Sequence, residues 1–375
     1  MSVSYGGDSI VFADGSVNAS GFIGHRNRII NGAMVIDQRN AGASVTPNNA
    51  YTLDRWNGIQ TTASKFSVQQ NAGSVTPPAG FTKYLGITSL SAYAVTSSDY
   101  YQLKQAIEGH NVADLNWGTA SANSITVSFW VRSSLSGSFG LSIKWGSSSA
   151  NQRSYPILYT ISATNTWEYK TIIIPGDTTM AAGGFETGAS SGIQVQFSLG
   201  GGATNAGPSG SWAGTNYQTV VGETSVVGTS GATWYVTGVQ LERGSAASSF
   251  EYRSYGAELA LCQRYCFALI STGENNSTFG GFWRVATGKL VVPISFPVVM
   301  RANPTCSIPA GNNSWSVEDG VNPYTGTPTL ERPNPYNVMV NIPLGSNPSF
   351  SSGYATAAHM FAATGAVCLL ASAEL

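Results

Sequence analysis

The sequence predicts a mainly β chain: a jelly-roll β-sandwich followed by a short helix and a second, smaller β domain, with an N-terminal arm in front. Three observations carry this. Apolar residues recur with period two over many short runs. Stretches rich in Gly, Ser and Asn separate those runs at turn-like spacing. Only one segment holds an apolar stripe at helical spacing over several turns. The 375 residues suit two or three domains of about 100–200 residues each. Hydrophobic residues make up 42% of the chain, enough to build a core.

Residues 1–40 read as an arm. Ile10 and Phe12, then Asp14-Gly15, then Val17 form a small hairpin pattern. So short a piece cannot bury enough surface to fold alone. It must dock on the rest of the chain, on sister chains or on another protein.

Residues 41–250 carry the sandwich. Ile125, Val127, Phe129 and Val131 share one face of a strand. The same alternation returns at Phe139, Leu141, Ile143 and Trp145. It returns again at Ile193, Val195, Phe197 and Leu199, with Gln194, Gln196 and Ser198 turned the other way. These are half-buried antiparallel strands. Trp234 and Val236, then Val239 and Leu241, give another strand with a bulge at Gly238. Turns fall at 133–138, 146–151, Gly176-Asp177 and the glycine-rich stretch 200–214. No Cys-Trp-Cys spacing marks an immunoglobulin-like sandwich, so a jelly roll is the better fit. A short helix is expected over 101–108, with Leu103, Ala106 and Ile107 inward.

Residues 251–274 form a connecting helix. Ser254 suits an N-cap, and Glu258 lies in the first turn, where its charge complements the helix dipole. Leu259, Cys262, Tyr265, Cys266 and Leu269 follow at helical spacing. Residues 275–375 return to strands. The run 289–300 contains Pro293 and Pro297, which predicts an edge or broken strand. Val338, Val340, Ile342 and Leu344 alternate, and 366–371 reads as a buried last strand.

Composition narrows the function classes. Charged residues are 10% of the chain, against roughly 25% in an ordinary soluble domain. Such a surface is Ser, Thr, Asn, Gln and Gly, or is hidden in an oligomer. Lys plus Arg number 18 and Asp plus Glu 19, a net charge of -1. No long-range field favours nucleic acid or an anionic membrane, and no basic run of nucleic-acid type occurs. The opening MSVSYGGDSIVFADGS has neither the basic nor the apolar part of a signal peptide. The longest apolar runs fall far short of the ~20 residues that span a bilayer. The expectation is a chain made in the cytoplasm that stays soluble until assembly. Cys262, Cys266, Cys306 and Cys368 are too few and scattered for a disulfide framework. No histidine completes a zinc set with the first two, so they read as buried thiols.

Two stretches resemble a known family. One is His25-Arg26-Asn27-Arg28-Ile29-Ile30-Asn31-Gly32-Ala33-Met34-Val35-Ile36-Asp37-Gln38-Arg39. The other is Val236-Thr237-Gly238-Val239-Gln240-Leu241-Glu242-Arg243-Gly244 with Phe250-Glu251-Tyr252-Arg253 and Glu258-Leu259-Ala260-Leu261-Cys262-Gln263-Arg264-Tyr265-Cys266. Both are similar to stretches common in tail fibre and other appendage proteins of tailed bacteriophages. There the first opens a carbohydrate-binding-module-like jelly roll and the second closes it, and a variable tip domain usually follows. The resemblance covers roughly residues 25–270. The opening Ser9-Ile10-Val11-Phe12-Ala13-Asp14-Gly15-Ser16 is similar to short attachment segments of phage fibres.

What the resemblance implies is a place in the virion, often as a homotrimer. Residues 1–40 then attach to another virion structural protein, and 275–375 form a tip or second docking surface. A host-surface glycan is the implied ligand. Related modules often hold a structural calcium with paired aspartates on the last strand. Thr237-Gly238 stands there instead, and no metal or other cofactor is expected. The alternatives are a virion-associated polysaccharide depolymerase, a head fibre or capsid decoration protein, and a host-encoded surface lectin.

Catalysis finds little support in the residues. Glycan hydrolysis needs two carboxylates about 5–10 Å apart, and nothing in the sequence pairs Glu168, Asp177, Glu186 or Glu223. A nucleophilic triad needs a histidine; only His25, His110 and His359 exist, and no Gly-x-Ser-x-Gly elbow precedes a helix. Gly200-Gly201-Gly202 is followed by no Lys-Ser or Lys-Thr, so it is not a phosphate loop. The candidate ligand residues are aromatic: Trp145, Tyr155, Trp167, Trp212 and Tyr217. A flat ring can stack on a sugar while Asn, Gln and Ser bond its hydroxyls. Trp145 and Trp167 read more naturally as core. Trp212 and Tyr217, in a Gly/Ser/Asn loop, suit a ligand or a neighbouring subunit equally.

Overall fold

The period-two runs of the first part of the chain assemble into two sheets with a shared apolar interior, a β-sandwich of jelly-roll type. The computed structural model describes residues 26–146, 152–270, 291–308, 328–342 and 367–375, and elsewhere only the backbone of strands. Phe12, the Asp14-Gly15 turn, His25 and Leu344 lie outside the described residues. The chain divides into two compact units, Met1–Tyr255 with Leu375, and Gly256–Glu374.

In the first unit one sheet has six strands. Their order is Arg153–Ile161, Gly137–Trp145, Ser191–Gly201, Tyr100–Glu108, Asn57–Gln60 and Ala50–Tyr51. The other has five: Glu168–Ile174, Ile125–Ser133, Thr233–Arg243, Leu85–Ser89 and Phe66–Gln70. Neighbours within both sheets are antiparallel. The inward rows meet as close-packed aromatic and aliphatic side chains. Phe129 of the five-stranded sheet stands edge-on to Phe197 of the six-stranded sheet at 5.0 Å, and Phe197 meets Trp234 at 5.2 Å. The Trp234 indole N–H donates to the Tyr159 hydroxyl at 3.0 Å, satisfying two polar atoms inside the core. Each such buried ring contributes ~2–3 kcal/mol from apolar burial. At the N-terminus, Ser9–Val11 pairs antiparallel with Ser4–Gly6 and with Val17–Ala19.

The segment 101–108 is a strand, not the expected helix. Tyr101, Leu103 and Ile107 point into the core, a period of two. The fourth inward position holds Gln105, which breaks the apolar alternation. Gln105 is nevertheless buried, because its amide takes the Ile30 N–H at 2.9 Å and donates to the Ile30 carbonyl at 2.9 Å. The bulge at Gly238 is present: the ladder with Ile125–Ser133 shifts register between Thr237 and Gln240, and Gly238 has φ +62.

Residues 26–40 belong to the first unit's packed interior rather than to an arm ending at 40. Ile29 and Met34 lie in the sandwich core. Asn27 explains the placement. Its amide donates to the Val239 carbonyl at 3.0 Å, and its oxygen accepts from the Ile29 and Leu241 N–H groups at 2.9 and 3.1 Å. Gly32 accepts from the Val239 N–H at 2.9 Å, and a Cβ at Gly32 would sit 2.2 Å from the Val239 carbonyl oxygen. The Asn27 N–H donates to the Glu251 carboxylate at 2.6 Å, and the Arg253 guanidinium donates to the Ile29 carbonyl at 3.0 Å. The two family-like stretches are therefore bonded to each other, across 224 residues of sequence in the Asn27–Glu251 case.

In the second unit the helix spans Tyr255–Gln263, shorter than expected. Cys266 and Leu269 sit instead on the strand Cys266–Ile270, which pairs with Val367–Ser372. An apolar run that finds a partner strand gains a ladder and a buried face together, which overrides a short helical stripe. Lys289–Ser295 is flanked on both sides, by Trp283–Ala286 and Asn337–Pro343, and is not an edge strand. Pro293 is tolerated because the Trp283–Ala286 ladder reaches only to Val291. Val292, Ile294, Val338, Val340, Ile342 and Leu369 are core residues of this unit. Cys262, Cys266 and Cys368 are buried and Cys306 is half-buried. Burial pushes the Cys306 thiol up to about 11.

Candidate functional site

Alternation along the six-stranded sheet sends one row of each strand into the core and the other to the opposite face. That outer face is polar across four strands. Gln102 and Lys104 come from Tyr100–Glu108, Ser142 and Lys144 from Gly137–Trp145, Gln194 and Gln196 from Ser191–Gly201, and Asn57 from Asn57–Gln60. Register places them side by side: Asn57 opposite Lys104, Lys104 opposite Gln196, Gln196 opposite Ser142, and Gln194 opposite Lys144.

The segment 205–223 lies against one part of this face. Ser142 Oγ donates to the Tyr217 carbonyl at 3.1 Å and Ser154 Oγ to the Thr215 carbonyl at 2.6 Å. The Gln102 amide donates to the Gln218 carbonyl and, at 3.2 Å, to the Gln196 side chain. Gln196 donates to Gln194 at 2.9 Å. Lys144 Nζ donates to Gln218 Oε1 at 3.2 Å. These bonds pre-set the amides, so little freedom remains to be lost on binding. Lys104 and Gln194 are half-buried and are the part of the row open to solvent, whereas Lys144 is only 3% exposed.

The electrostatics are set by burial without counter-charge. Among the described residues no carboxylate lies within ion-pairing distance of Lys104 or Lys144. Burial, and secondarily the charge of Lys104, pushes the Lys144 ammonium down to about 7. Burial lowers Lys104 as well. The Asn57 side-chain oxygen, beside Lys104 in the sheet, is buried and has no hydrogen-bond partner among the described residues. Farther along, Glu223 accepts from Ser198 Oγ at 2.6 Å and from the Val220 N–H at 3.2 Å. Burial raises its carboxyl to about 7.

The five aromatic candidates separate into three places. Trp145, Tyr155 and Trp212 come together. Tyr155 meets Trp212 at 5.2 Å, Trp117 meets Trp212 at 5.1 Å, and Trp117 meets Trp145 at 6.5 Å. Trp145 and Tyr155 are core, and Trp212 is half-buried with its N–H given to the Pro175 carbonyl at 2.8 Å. Trp167 is elsewhere, edge-on to Tyr84 at 5.5 Å with its N–H on the Thr76 carbonyl. Tyr217 is half-buried and packs so close to Gly207 that a Cβ there would meet its ring at 2.4 Å. None of these five is presented on the open part of the polar face.

The sequence missed Lys104 and Lys144. Lys104 was hidden because its strand read as a helix. Lys144 was legible: it sits between Ile143 and Trp145 in a clear alternation, on the side opposite the core.

Each acid considered for catalysis is tied to its own surroundings. Glu168 pairs with Lys170 at 2.7 Å and accepts from the Ser162 and Ala163 N–H groups. Asp177 takes the Trp145 N–H at 2.9 Å and both arms of the Arg153 guanidinium. Glu186 accepts from the Gly188 N–H at 2.6 Å. His110 is exposed in the turn Gly109–Asn111, and the His359 side chain lies outside the described residues. Thr237 donates to the Lys83 carbonyl at 2.7 Å. Among the described residues no three potential metal ligands group together.

A second surface lies on the outer side of the five-stranded sheet. Trp130 meets Tyr169 at 5.4 Å, and Phe81 meets Phe250 and Tyr252 at 5.1 and 5.5 Å. Gly238 lies between these groups: a Cβ there would meet Phe81 at 2.6 Å and Trp130 at 3.2 Å. Tyr169, Ile173 and Tyr252 are 43%, 49% and 59% exposed, leaving an apolar face open.

No family model and no curated protein matches this sequence. Among solved structures, the chain is similar to the enzymatically active domain of tailspike protein 4 of bacteriophage CBA120. Identity is 12% and the TM-score 0.32, over 58% of this chain and 21% of that one. It is also similar to the family 11 carbohydrate-binding module of Clostridium thermocellum in complex with a mixed-linked tetrasaccharide, at 12% identity and TM-score 0.28, over 55% and 97% of the two chains. The CBM22-1 xylan-binding domain of Paenibacillus barcinonensis matches at 12% identity and TM-score 0.27, over 56% and 99%. Likeness at this level decides nothing about ligand or activity.

Proposed function

We propose that this chain is a non-catalytic, glycan-binding structural subunit of a phage appendage, and that the outer face of the six-stranded sheet is its contact surface. The observation that carries the reading is the row of preset amides and ammoniums there, ending in the half-buried Lys104 and Gln194. Amides and ammoniums on a rigid sheet match the hydroxyls of a saccharide, because each can bond without first being ordered. The four acids considered for hydrolysis are each engaged in local bonds, which favours binding over cleavage.

The exposed aromatic face of the five-stranded sheet supports a multimer, and a homotrimer is the arrangement we propose. Apolar faces of this kind cover one another in assemblies. The N-terminal segment would then hold the assembly to another virion protein, as the resemblance of its opening residues implies.

A glycan array probed with the whole chain tests binding. The expected result is a set of related saccharides retained by wild type and lost by Lys104→Ala/Gln194→Ala. A folded protein that retains none of the array overturns the reading. Release of new reducing ends from a bound polysaccharide would favour a depolymerase instead. Immunogold labelling of intact virions tests the location; unlabelled particles would oppose it.

A further inference from the structure

We propose that the outer face of the six-stranded sheet selects an anionic saccharide, whose acid group sits between Lys104 and Lys144 while a neighbouring hydroxyl donates to Asn57. This rests on the reading of that face as a glycan surface and names the class of glycan.

Two observations point the same way. The first is a pair of cations on one face with no carboxylate to meet them among the described residues. The two lysines stand diagonally across the strand Ser191–Gly201, Lys104 beside Gln196 and Lys144 beside Gln194. They are close enough that the charge of Lys104 disfavours that of Lys144. A buried ammonium without an anion is costly, and a second ammonium nearby raises the cost. Among the described residues Lys144 has one acceptor, the neutral Gln218 Oε1, at 3.2 Å. An anion placed between them would offer charge-assisted acceptors to both nitrogens and remove their mutual repulsion.

The second observation is the Asn57 oxygen, a buried acceptor with no donor among the described residues, on a residue only 8% exposed and next to Lys104 in the sheet. A free inorganic anion has no hydroxyl set at sugar spacing to satisfy it. A sugar acid carries the anionic oxygens and a hydroxyl donor on one ring. Donors for the anion and an acceptor for the hydroxyl thus lie side by side, and Gln194 stands open to a further hydroxyl.

The test uses the whole chain and an array that carries each oligosaccharide in two forms, the uronic acid and its carboxyl-reduced alcohol. Phosphorylated sugars and their neutral parents are added as a second arm. Inorganic phosphate alone serves as competitor, and the strongest saccharide is then titrated calorimetrically. The expected result is at least tenfold tighter binding of acidic forms than of their neutral partners, with no displacement by inorganic phosphate at equal concentration. Lys104→Gln and Lys144→Gln should bring acid and neutral forms to similar affinity, while Lys104→Arg should keep the preference. Thermal melting confirms that each variant is folded. Because Lys104 is half-buried, its variants stand if the Lys144 change unfolds the chain. Equal affinity for acid and neutral forms overturns the acidic preference and leaves the glycan reading in place. Binding of inorganic phosphate in place of any saccharide overturns both.

Discussion

Lys144→Met should stabilise the first unit at neutral pH and remove its gain in stability on going alkaline. The Lys144 ammonium is 3% exposed, and among the described residues its acceptor is the neutral Gln218 oxygen. Burial and the charge of Lys104 bring Lys144 from 10.5 to about 7 in the folded chain. Between those values the unfolded chain holds a proton that the folded chain lacks, so stability rises with pH. Below about 7 both states hold the proton and the full penalty stands. One proton changes stability by ~1.4 kcal/mol per pH unit once the folded group has lost it, and at pH 7 it is half lost, so the rise from pH 7 to pH 9 is ~2 kcal/mol. The half-buried Lys104, also lowered by burial, adds a smaller term of the same sign, discounted by solvent screening. The other groups that face Lys144, Gln194 and Gln218, do not titrate. Glu223 acts in the opposite sense. Its carboxyl is raised from 4.5 to about 7, so the folded chain holds the extra proton and stability falls as pH rises through that window. Its facing groups are the Ser198 hydroxyl, the Val220 N–H and, at longer range, the Tyr159 phenol. Together Lys144 and Glu223 place a minimum of stability near pH 7. Urea unfolding followed by tryptophan fluorescence at pH 5, 7 and 9 reads it directly. Lys144→Met should add ~2 kcal/mol at pH 7 after the lost Gln218 bond is allowed for, and flatten the rise from 7 to 9. Glu223→Gln should flatten the fall from 5 to 7. A wild type more stable at pH 7 than at pH 9, or a Lys144→Met variant that keeps the full alkaline rise, would refute the reasoning.

Two further outcomes follow from the packing and a third from the proposed assembly. Gln105→Leu strands the buried N–H and carbonyl of Ile30 and should cost ~2–4 kcal/mol by chemical denaturation, although it improves the apolar alternation of its strand. Gly238→Ala combines a φ of +62 with a Cβ that would lie 2.6 Å from Phe81; a loss of ~2–3 kcal/mol and a changed near-ultraviolet dichroism signal from the displaced ring are expected. Sedimentation should show a trimer for wild type and smaller species for Trp130→Ser/Tyr169→Lys, and an unchanged assembly would place the subunit contact elsewhere.

The sandwich was legible wherever a strand obeys simple alternation. Phe139, Leu141, Ile143 and Trp145 declare their face by themselves, and so do Ile193, Val195, Phe197 and Leu199, because each inward position is apolar. The strand Tyr100–Glu108 was not legible. Its inward Gln105 is satisfied by Ile30, 75 residues away in sequence, and Leu, Lys, Gln, Ala and Glu are all good helix formers. Tertiary hydrogen bonding decided that strand, and no local pattern records it. The same distance effect hid the packed state of residues 26–40: the partners of Asn27 lie at Val239, Leu241 and Glu251. The helix ended early because Cys266 and Leu269 found a strand partner some hundred residues on, at Ser372 and Leu369. For the site, the sequence pointed to aromatic rings, the most conspicuous residues of a low-charge chain. Three of those rings join one cluster through Trp117, and the open polar surface is built from glutamines and lysines that look like ordinary outward positions. Only register sets Lys144 near Lys104, with no acid between them among the described residues.

The most direct measurement is a calorimetric titration of the tightest-binding array saccharide into three proteins: wild type, Lys104→Ala/Gln194→Ala and Trp167→Ala. The outer face of the six-stranded sheet predicts at least a tenfold loss for the first variant and an unchanged isotherm for the second, since Trp167 packs on Tyr84 of the other sheet system. Full-strength binding by Lys104→Ala/Gln194→Ala, or binding abolished by Trp167→Ala alone in a folded protein, would contradict it.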